Sequence, residues 1–201
     1  MIYKLAAVIL AAGLSSRMRD FKPLLKLGGK TIIKHVLDTV RTAGTETVVV
    51  VTGYRAAEIE AHLRDESVIF AQNENYATTQ MLDSLLIGLA KIPQKFDRVI
   101  ITPADIPAVK PETIKLLLSS GGLFVRPTHK GKNGHPAIMS AKLIPALFDY
   151  SGNEGLRGAV QAAGAELTGI EVPDRGVLLD ADTPEDYAGL RDYFALEFEG
   201  E

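Results

Sequence analysis

An α/β fold with a mainly parallel, mixed sheet flanked by helices is predicted by three observations. Short, almost continuously apolar runs rich in β-branched residues alternate with longer segments whose apolar residues recur every three or four positions. The strand-like runs carry few polar residues, as expected when helices cover both faces of a sheet. A length of 201 residues suits one hydrophobic core, so a single domain is expected.

The elements follow in order. Residues 6–10, 47–52, 67–71 and 98–102 read as strands. Between them, residues 31–43 (with Ile32, Ile33, Val36 and Val40), 56–63 and 81–91 (with Leu82, Leu85, Leu86 and Leu89) read as helices, joined by right-handed crossovers. After Asp105 the pattern loosens. A helix is expected over 112–119 and a strand over 123–127, followed by the polar loop His129-Lys-Gly-Lys-Asn-Gly-His-Pro136. Helices over 141–148 and 155–163, strands over 167–172 and 176–179, and a last helix over 184–194 complete the chain, and this half is expected to add antiparallel strands and an acceptor pocket. Asp182 or Thr183 is placed to cap the last helix, with Pro184 at its first position and Glu185 and Asp186 in its first turn.

Composition narrows the function. Hydrophobic residues at 46% and charged residues at 23% belong to a folded globular chain. A formal charge of −3 provides no general attraction for nucleic acid, so an anionic ligand needs a local cluster of donors. With no cysteine, disulfides, thiolate metal sites and a cysteine nucleophile are excluded. His35, His62, His129 and His135 lack zinc-ligand spacing, which leaves a hard cation on oxygen ligands. The first apolar run is too short to span a bilayer and the start lacks a signal-peptide pattern, so a cytoplasmic address without membrane attachment is expected.

Ligands of an open α/β sheet sit beyond the carboxyl ends of its strands, which directs attention to the loop after the first one. There, Ala11, Ala12 and Gly13 permit close backbone approach, Ser15 and Ser16 offer hydroxyls and N–H groups, and Arg17 and Lys22 offer positive charge. These are the parts of a triphosphate cradle, although the same residue types also make solvated turns. Neither the Walker pattern nor the three-glycine dinucleotide pattern is present.

Leu10-Ala-Ala-Gly-Leu-Ser-Ser-Arg-Met18, followed by Lys22-Pro-Leu-Leu-Lys-Leu-Gly-Gly-Lys30, resembles the signature of the nucleotidyltransferases that finish the molybdenum cofactor. Ser84-Leu-Leu-Ile-Gly-Leu89 resembles that family's nucleotide-side helix, and Pro103-Ala-Asp-Ile-Pro107 its metal-binding turn. Gly131-Lys-Asn-Gly-His-Pro136 resembles its acceptor loop, and Leu179-Asp-Ala-Asp-Thr-Pro-Glu-Asp186 its closing motif. The resemblance implies a Rossmann-like nucleotidyltransferase fold, with a nucleotide-binding half over 1–105 and an acceptor-binding half over 106–201. It implies nucleotide binding by Ala11, Ala12, Gly13, Ser15, Ser16, Lys22 and Ser84, with Arg17 and Lys22 also catalytic. Mg²⁺ on Asp105 and Asp182, with Asp180 nearby as the alternative second ligand, is implied in the same way.

The implied acceptor is metal-loaded molybdopterin, gripped by Lys130, Lys132 and His135, and the product would pass to a molybdoenzyme. Read without the resemblance, Asp105 also suits a turn aspartate and the Lys130–Lys132 region a basic surface turn. Leu10-Ala-Ala-Gly13 is similar to the cytidylyl branch, the guanylyl branch reading Leu-Ala-Gly-Gly, and a methyl at Ala12 narrows a base site against purines, so CTP is the expected donor. Arg19 and Gln80 stand where the family usually has glycine and bear on base choice. The same residues would serve a GTP-using enzyme on the same cofactor or a CTP-dependent sugar- or polyol-phosphate cytidylyltransferase. The two departures are the features that would suit a cofactor-binding accessory protein without turnover.

Overall fold

The structure, a computed structural model, describes residues 3–14, 18, 20–93 and 95–197. The chain forms β1 (Leu5–Ala11), β2 (Lys26–Leu27), β3 (Lys30–Thr31), α1 (Ile32–Thr42), β4 (Thr47–Thr52), α2 (Ala56–His62), β5 (Ile69–Gln72) and α3 (Met81–Ala90). It continues through β6 (Arg98–Pro103), α4 (Pro111–Ser119), β7 (Phe124–His129), β8 (Lys132–Asn133), β9 (Ala137–Ser140), α5 (Ile144–Phe148), α6 (Gly155–Ala162), β10 (Leu167–Glu171) and α7 (Pro184–Glu197). The main sheet is ordered β10-β7-β9-β6-β1-β4-β5, with β8 paired to β7.

The expected α/β class is the observed one. β1, apolar on both faces, lies between β4 and β6 and pairs in parallel with each, and β5 adds in parallel to β4. The antiparallel addition is β9, which runs between β6 and β7, while β10 is parallel to β7. Ala7, Ile9 and Val50 point to one layer, where they meet Ile33, Val36 and Leu37 of α1 and Ile114 and Leu117 of α4. Ala6, Val8 and Val51 point to the other, against Leu82, Leu85 and Leu89 of α3, Leu147 of α5 and Val160 of α6. Gly88 lets α3 lie close on the sheet: a Cβ there would meet Val8 Cγ1 at 2.7 Å and Val51 Cγ2 at 2.8 Å. A third small cluster docks α7, with Leu190 and Phe194 on Leu27, Ile32, Ala108 and Ala181.

Several boundaries differ from those expected. The strand anticipated over 176–179 is a 3₁₀ turn, Arg175–Leu178, because Asp174 accepts the Gly176 N–H at 2.9 Å and caps it. A Cβ on Gly176 would lie 2.0 Å from the Ala108 carbonyl oxygen, an approach that periodicity does not reveal. The helix anticipated over 141–148 is a 3₁₀ turn running into α5, with Pro145 near the start of the α-helical part. The strand expected over 67–71 is displaced to β5, the one expected over 123–127 extends to His129 as β7, β8 lies in the segment read as a polar loop, and no strand was expected at β2 and β3. No helix of the described residues is long and apolar enough to cross a membrane.

Candidate active site

Strand order reverses at β1: the chain moves outward through β4 and β5, then returns to place β6 on the other side. Loops leaving the carboxyl ends of β1 and β6 therefore diverge and open a crevice. A cavity of about 380 Å³ occupies it, lined by Ala11, Ala12, Gly13 and Lys22 from the first loop, Ser84 from α3, and Asp105 and Asp182. The structure thus brings together the described members of the expected nucleotide, catalytic and metal sets. Ser15, Ser16, Arg17 and Arg19 lie outside the described residues.

Lys22 is held by its neighbours. Phe21 is buried and meets Tyr54 edge-on at 5.8 Å, and Lys22 starts a short 3₁₀ turn in which Pro23 follows it. The side chain is itself buried, with Nζ 2.6 Å from Asp182 Oδ1 and 3.7 Å from Asp105 Oδ2. The two acidic segments are tied directly: the Ala181 N–H donates to the Asp105 carbonyl at 3.2 Å, and the Ala104 N–H donates to Leu10 at 3.0 Å. Asp182 does not cap α7. Thr183 does, exchanging hydrogen bonds with Asp186, which leaves the Asp182 carboxylate facing Lys22.

Burial holds the Asp105 carboxyl above its usual range, against the pull of Lys22, and the carboxylates of Asp180 and Asp182 add to the rise. Burial and then Asp182 raise Asp180 in the same way. Three acidic groups thus share one lysine in a partly enclosed crevice, an arrangement that favours a further cation. Among the described residues no three-ligand metal cluster is preformed. Mg²⁺ does not require one, since it retains waters and commonly takes one or two carboxylates together with substrate phosphates. Asp105 and Asp182 fit that donor set.

The nucleotide side contains residues that motif reading missed. Tyr76, Thr79 and Met81 line the cavity with Ser84 and with Gln80, the one of these neighbours that the sequence had already tied to base choice. Buried Asn73 organises them, donating from Nδ2 to the hydroxyls of Thr79 at 2.8 Å and Ser84 at 2.9 Å. The available signal was the polar cluster Asn73-Glu-Asn-Tyr76 immediately after a strand. Gln80 occupies the N-cap of α3 with φ −92°, so glycine's conformational freedom is not needed there. Ala12 packs its methyl toward Gly53, where an added Cβ would lie 2.9 Å from it and 2.8 Å from the Tyr76 Cβ.

The trio expected to grip the acceptor separates. His135 lines a second cavity of about 280 Å³ beside the first, together with Arg126, Asn133 and Arg157. Lys130 and Lys132 are exposed on the β7–β8 hairpin and line neither cavity. Lys130 and Gly131 form its two-residue turn, both at positive φ. Burial first, then Arg126, lowers the His135 pKa and favours the neutral ring.

Solved structures share this architecture. A nucleotidyl transferase from Methanothermobacter superposes with a TM-score of 0.82 at 27% identity, covering 96% of this chain and 98% of that one. Rv0371c from Mycobacterium tuberculosis H37Rv superposes with a TM-score of 0.79 at 26% identity, covering 94% and 98% respectively. The bifunctional protein GlmU of Francisella philomiragia is 38% identical over 118 residues, 58% of this chain. The chain spans about a quarter of the length of the curated relatives it matches. Residues 7–167 match the MobA-like NTP transferase domain. With most of its length inside that match and its acidic crevice at the sheet's reversal point, the chain belongs to the MobA-like NTP transferase domain family.

Proposed function

We propose that the protein transfers CMP from CTP to the phosphate of a metal-loaded molybdopterin-type acceptor, releasing pyrophosphate. The observation that carries the reading is the convergence of Lys22, Asp105 and Asp182 in one crevice beneath the first loop. An oxygen of the acceptor phosphate attacks the α-phosphorus of CTP; the new phosphorus–oxygen bond forms as the bond to the β-phosphate oxygen breaks, and pyrophosphate leaves with that electron pair. A phosphate nucleophile is ionised at neutral pH, so no histidine base is required.

The first loop, Ala11 to Gly13 with Ser15 and Ser16, positions the triphosphate, and Ser84 is held on the nucleotide side by Asn73. Lys22, with Arg17, offsets charge on the transferring group and the leaving pyrophosphate. Asp105 and Asp182 would hold Mg²⁺, which supplies charge neutralisation to the phosphates when bound. Residues 1–105 would serve the nucleotide and 106–201 the acceptor, including His135 and, from the exposed hairpin, Lys130 and Lys132, with a cytoplasmic molybdoenzyme receiving the product.

The test is incubation with Mg²⁺, each of the four triphosphates and metal-loaded molybdopterin, followed by mass analysis. A CMP-bearing diphosphate product with release of pyrophosphate is expected. A guanylyl product would reassign the base, whereas no pyrophosphate with any triphosphate would remove transferase activity.

A further inference from the structure

The turn that follows β4, Gly53-Tyr54-Arg55, lies against both ends of the first loop. At the near end the Tyr54 N–H approaches the Ala12 carbonyl at 3.5 Å, and Gly53 leaves no room for a Cβ beside Ala12 and Tyr76. At the far end the Tyr54 ring stands edge-on to Phe21 at 5.8 Å, and the Arg55 guanidinium lies over the Phe21 ring, 4.8 Å from its centroid. Arg55 is exposed and does not line the nucleotide cavity. Yet its backbone is held at φ 53° and ψ 38°, a left-handed conformation that is costly for a residue with a side chain and persists only where surrounding contacts hold it. One such contact is Glu58 in the first turn of α2, whose two carboxylate oxygens accept from Arg55 Nε and Nη2. An exposed ion pair of this kind contributes little to stability, but its forked geometry fixes the plane and place of the guanidinium.

Resting on the transferase reading above, we infer that Arg55 is a positioning residue for the transfer: held by Glu58 and laid over Phe21, it fixes the ring from which the chain steps directly to Lys22. Phe21 is the hinge of that step. Its carbonyl accepts the Leu24 N–H at 3.1 Å and so sets the direction of the 3₁₀ turn that Lys22 begins. A shift of the Phe21 ring therefore carries the Lys22 backbone with it, and with it the ammonium that stands 2.6 Å from Asp182. Small displacements of a catalytic group are costly, about a hundredfold in rate for a misplacement of about 1 Å. The attraction between a cation and a ring face is weak for stability at an exposed site but directional. Replacing Arg55 is thus expected to disturb geometry more than folding. Glycine adopts φ 53° without strain, so Arg55→Gly removes the guanidinium and relaxes the turn together, whereas Arg55→Lys keeps a cation to lie over Phe21.

Timed acetylation of the full chain, read lysine by lysine by mass spectrometry, reports the position of Lys22 without any substrate. Lys22 is buried and ion-paired, so wild type is expected to label slowly there, with exposed Lys132 as the internal reference. Arg55→Gly is expected to raise the Lys22 rate about fivefold relative to Lys132 through local opening, with no fall in melting temperature. In steady-state kinetics the same variant is expected to lose about tenfold in kcat, with KM for the triphosphate changed less than about twofold. Arg55→Lys is expected to stay near wild type in both measurements. Unchanged Lys22 labelling in Arg55→Gly, an equal rise in Arg55→Lys, or unchanged kcat despite faster labelling overturns the inference. Faster labelling matched by a lower melting temperature also overturns it, since Arg55 would then serve stability alone. Labelling needs no turnover, so a wild type that releases no pyrophosphate removes the transferase reading separately.

Discussion

Lys22 Nζ lies 2.6 Å from Asp182 Oδ1, joining the first loop to the end of the chain across 160 positions. On the proposed function, a lysine so placed serves both phosphate and metal, and would follow negative charge as it moves onto the leaving pyrophosphate.

Lys22→Ala is accordingly expected to lower kcat on the order of a hundred- to a thousandfold, with a smaller rise in KM for the triphosphate, because a donor to developing charge acts mainly in the transition state. Steady-state kinetics decide it. A kcat within threefold of wild type would show that Lys22 is a structural counter-ion only.

Asp105→Asn is expected to abolish turnover without loss of folding. Burial and neighbouring carboxylates already disfavour the charged form, so in chelator the amide should melt no lower than wild type. Asp182→Asn should instead shift the Mg²⁺ titration of activity to higher concentration. Full activity of Asp105→Asn, or of wild type in chelator, contradicts the metal assignment.

The junction of Gly53 and Ala12 offers a test of the base site. Gly53→Ala would drive a methyl to within 2.9 Å of the Ala12 carbonyl oxygen and is expected to cost about 1–3 kcal/mol in stability, with weaker nucleotide binding. Ala12→Gly should relax a preference for CTP over GTP by about 1–3 kcal/mol in kcat/KM. An unchanged ratio would locate base choice elsewhere, among Tyr76, Thr79 and Gln80.

His135 makes stability fall with acidity. Its folded-state pKa is depressed below the ordinary 6.5 by burial and by Arg126, so the unfolded chain binds the proton first. Stability associated with the neutral ring is intact above pH 6.5, is lost as pH falls through the folded-state pKa, and then levels off. His135→Gln should flatten that slope in denaturant titrations from pH 7.5 to 5. An equal slope in the variant would place the proton uptake elsewhere.

Much of the fold was legible because strands covered on both faces leave unbroken apolar runs, as in 47–52 and 98–102, and helices leave their own spacing, as in Leu82, Leu85 and Leu89. The turn at Arg175–Leu178 was not legible, since Val177 and Leu178 are apolar for a packing reason unrelated to a ladder. In the crevice, the meeting of Lys22, Asp105 and Asp182 was anticipated through motifs that a family resemblance links across the chain. Arg126 and Arg157 were not, because on β7 and α6 they lack any distinguishing spacing and only packing of α6 over the sheet makes them neighbours. Asn73 was hidden for a similar reason: its value lies in partners 6 and 11 residues away that converge in space.

The hydrogen bond from Ala181 to Asp105 has a consequence for the birth of the molecule. A chain leaving the ribosome exposes β1, its loop and β6 well before Ala181 and Asp182 follow. Until α7 docks on Leu27 and Ile32, the crevice has one carboxylate of the pair and Lys22 lacks its nearer partner. On the proposed reading, molecules clipped before Ala181 are therefore expected to consume no triphosphate, because Asp105 then stands without its partner carboxylate.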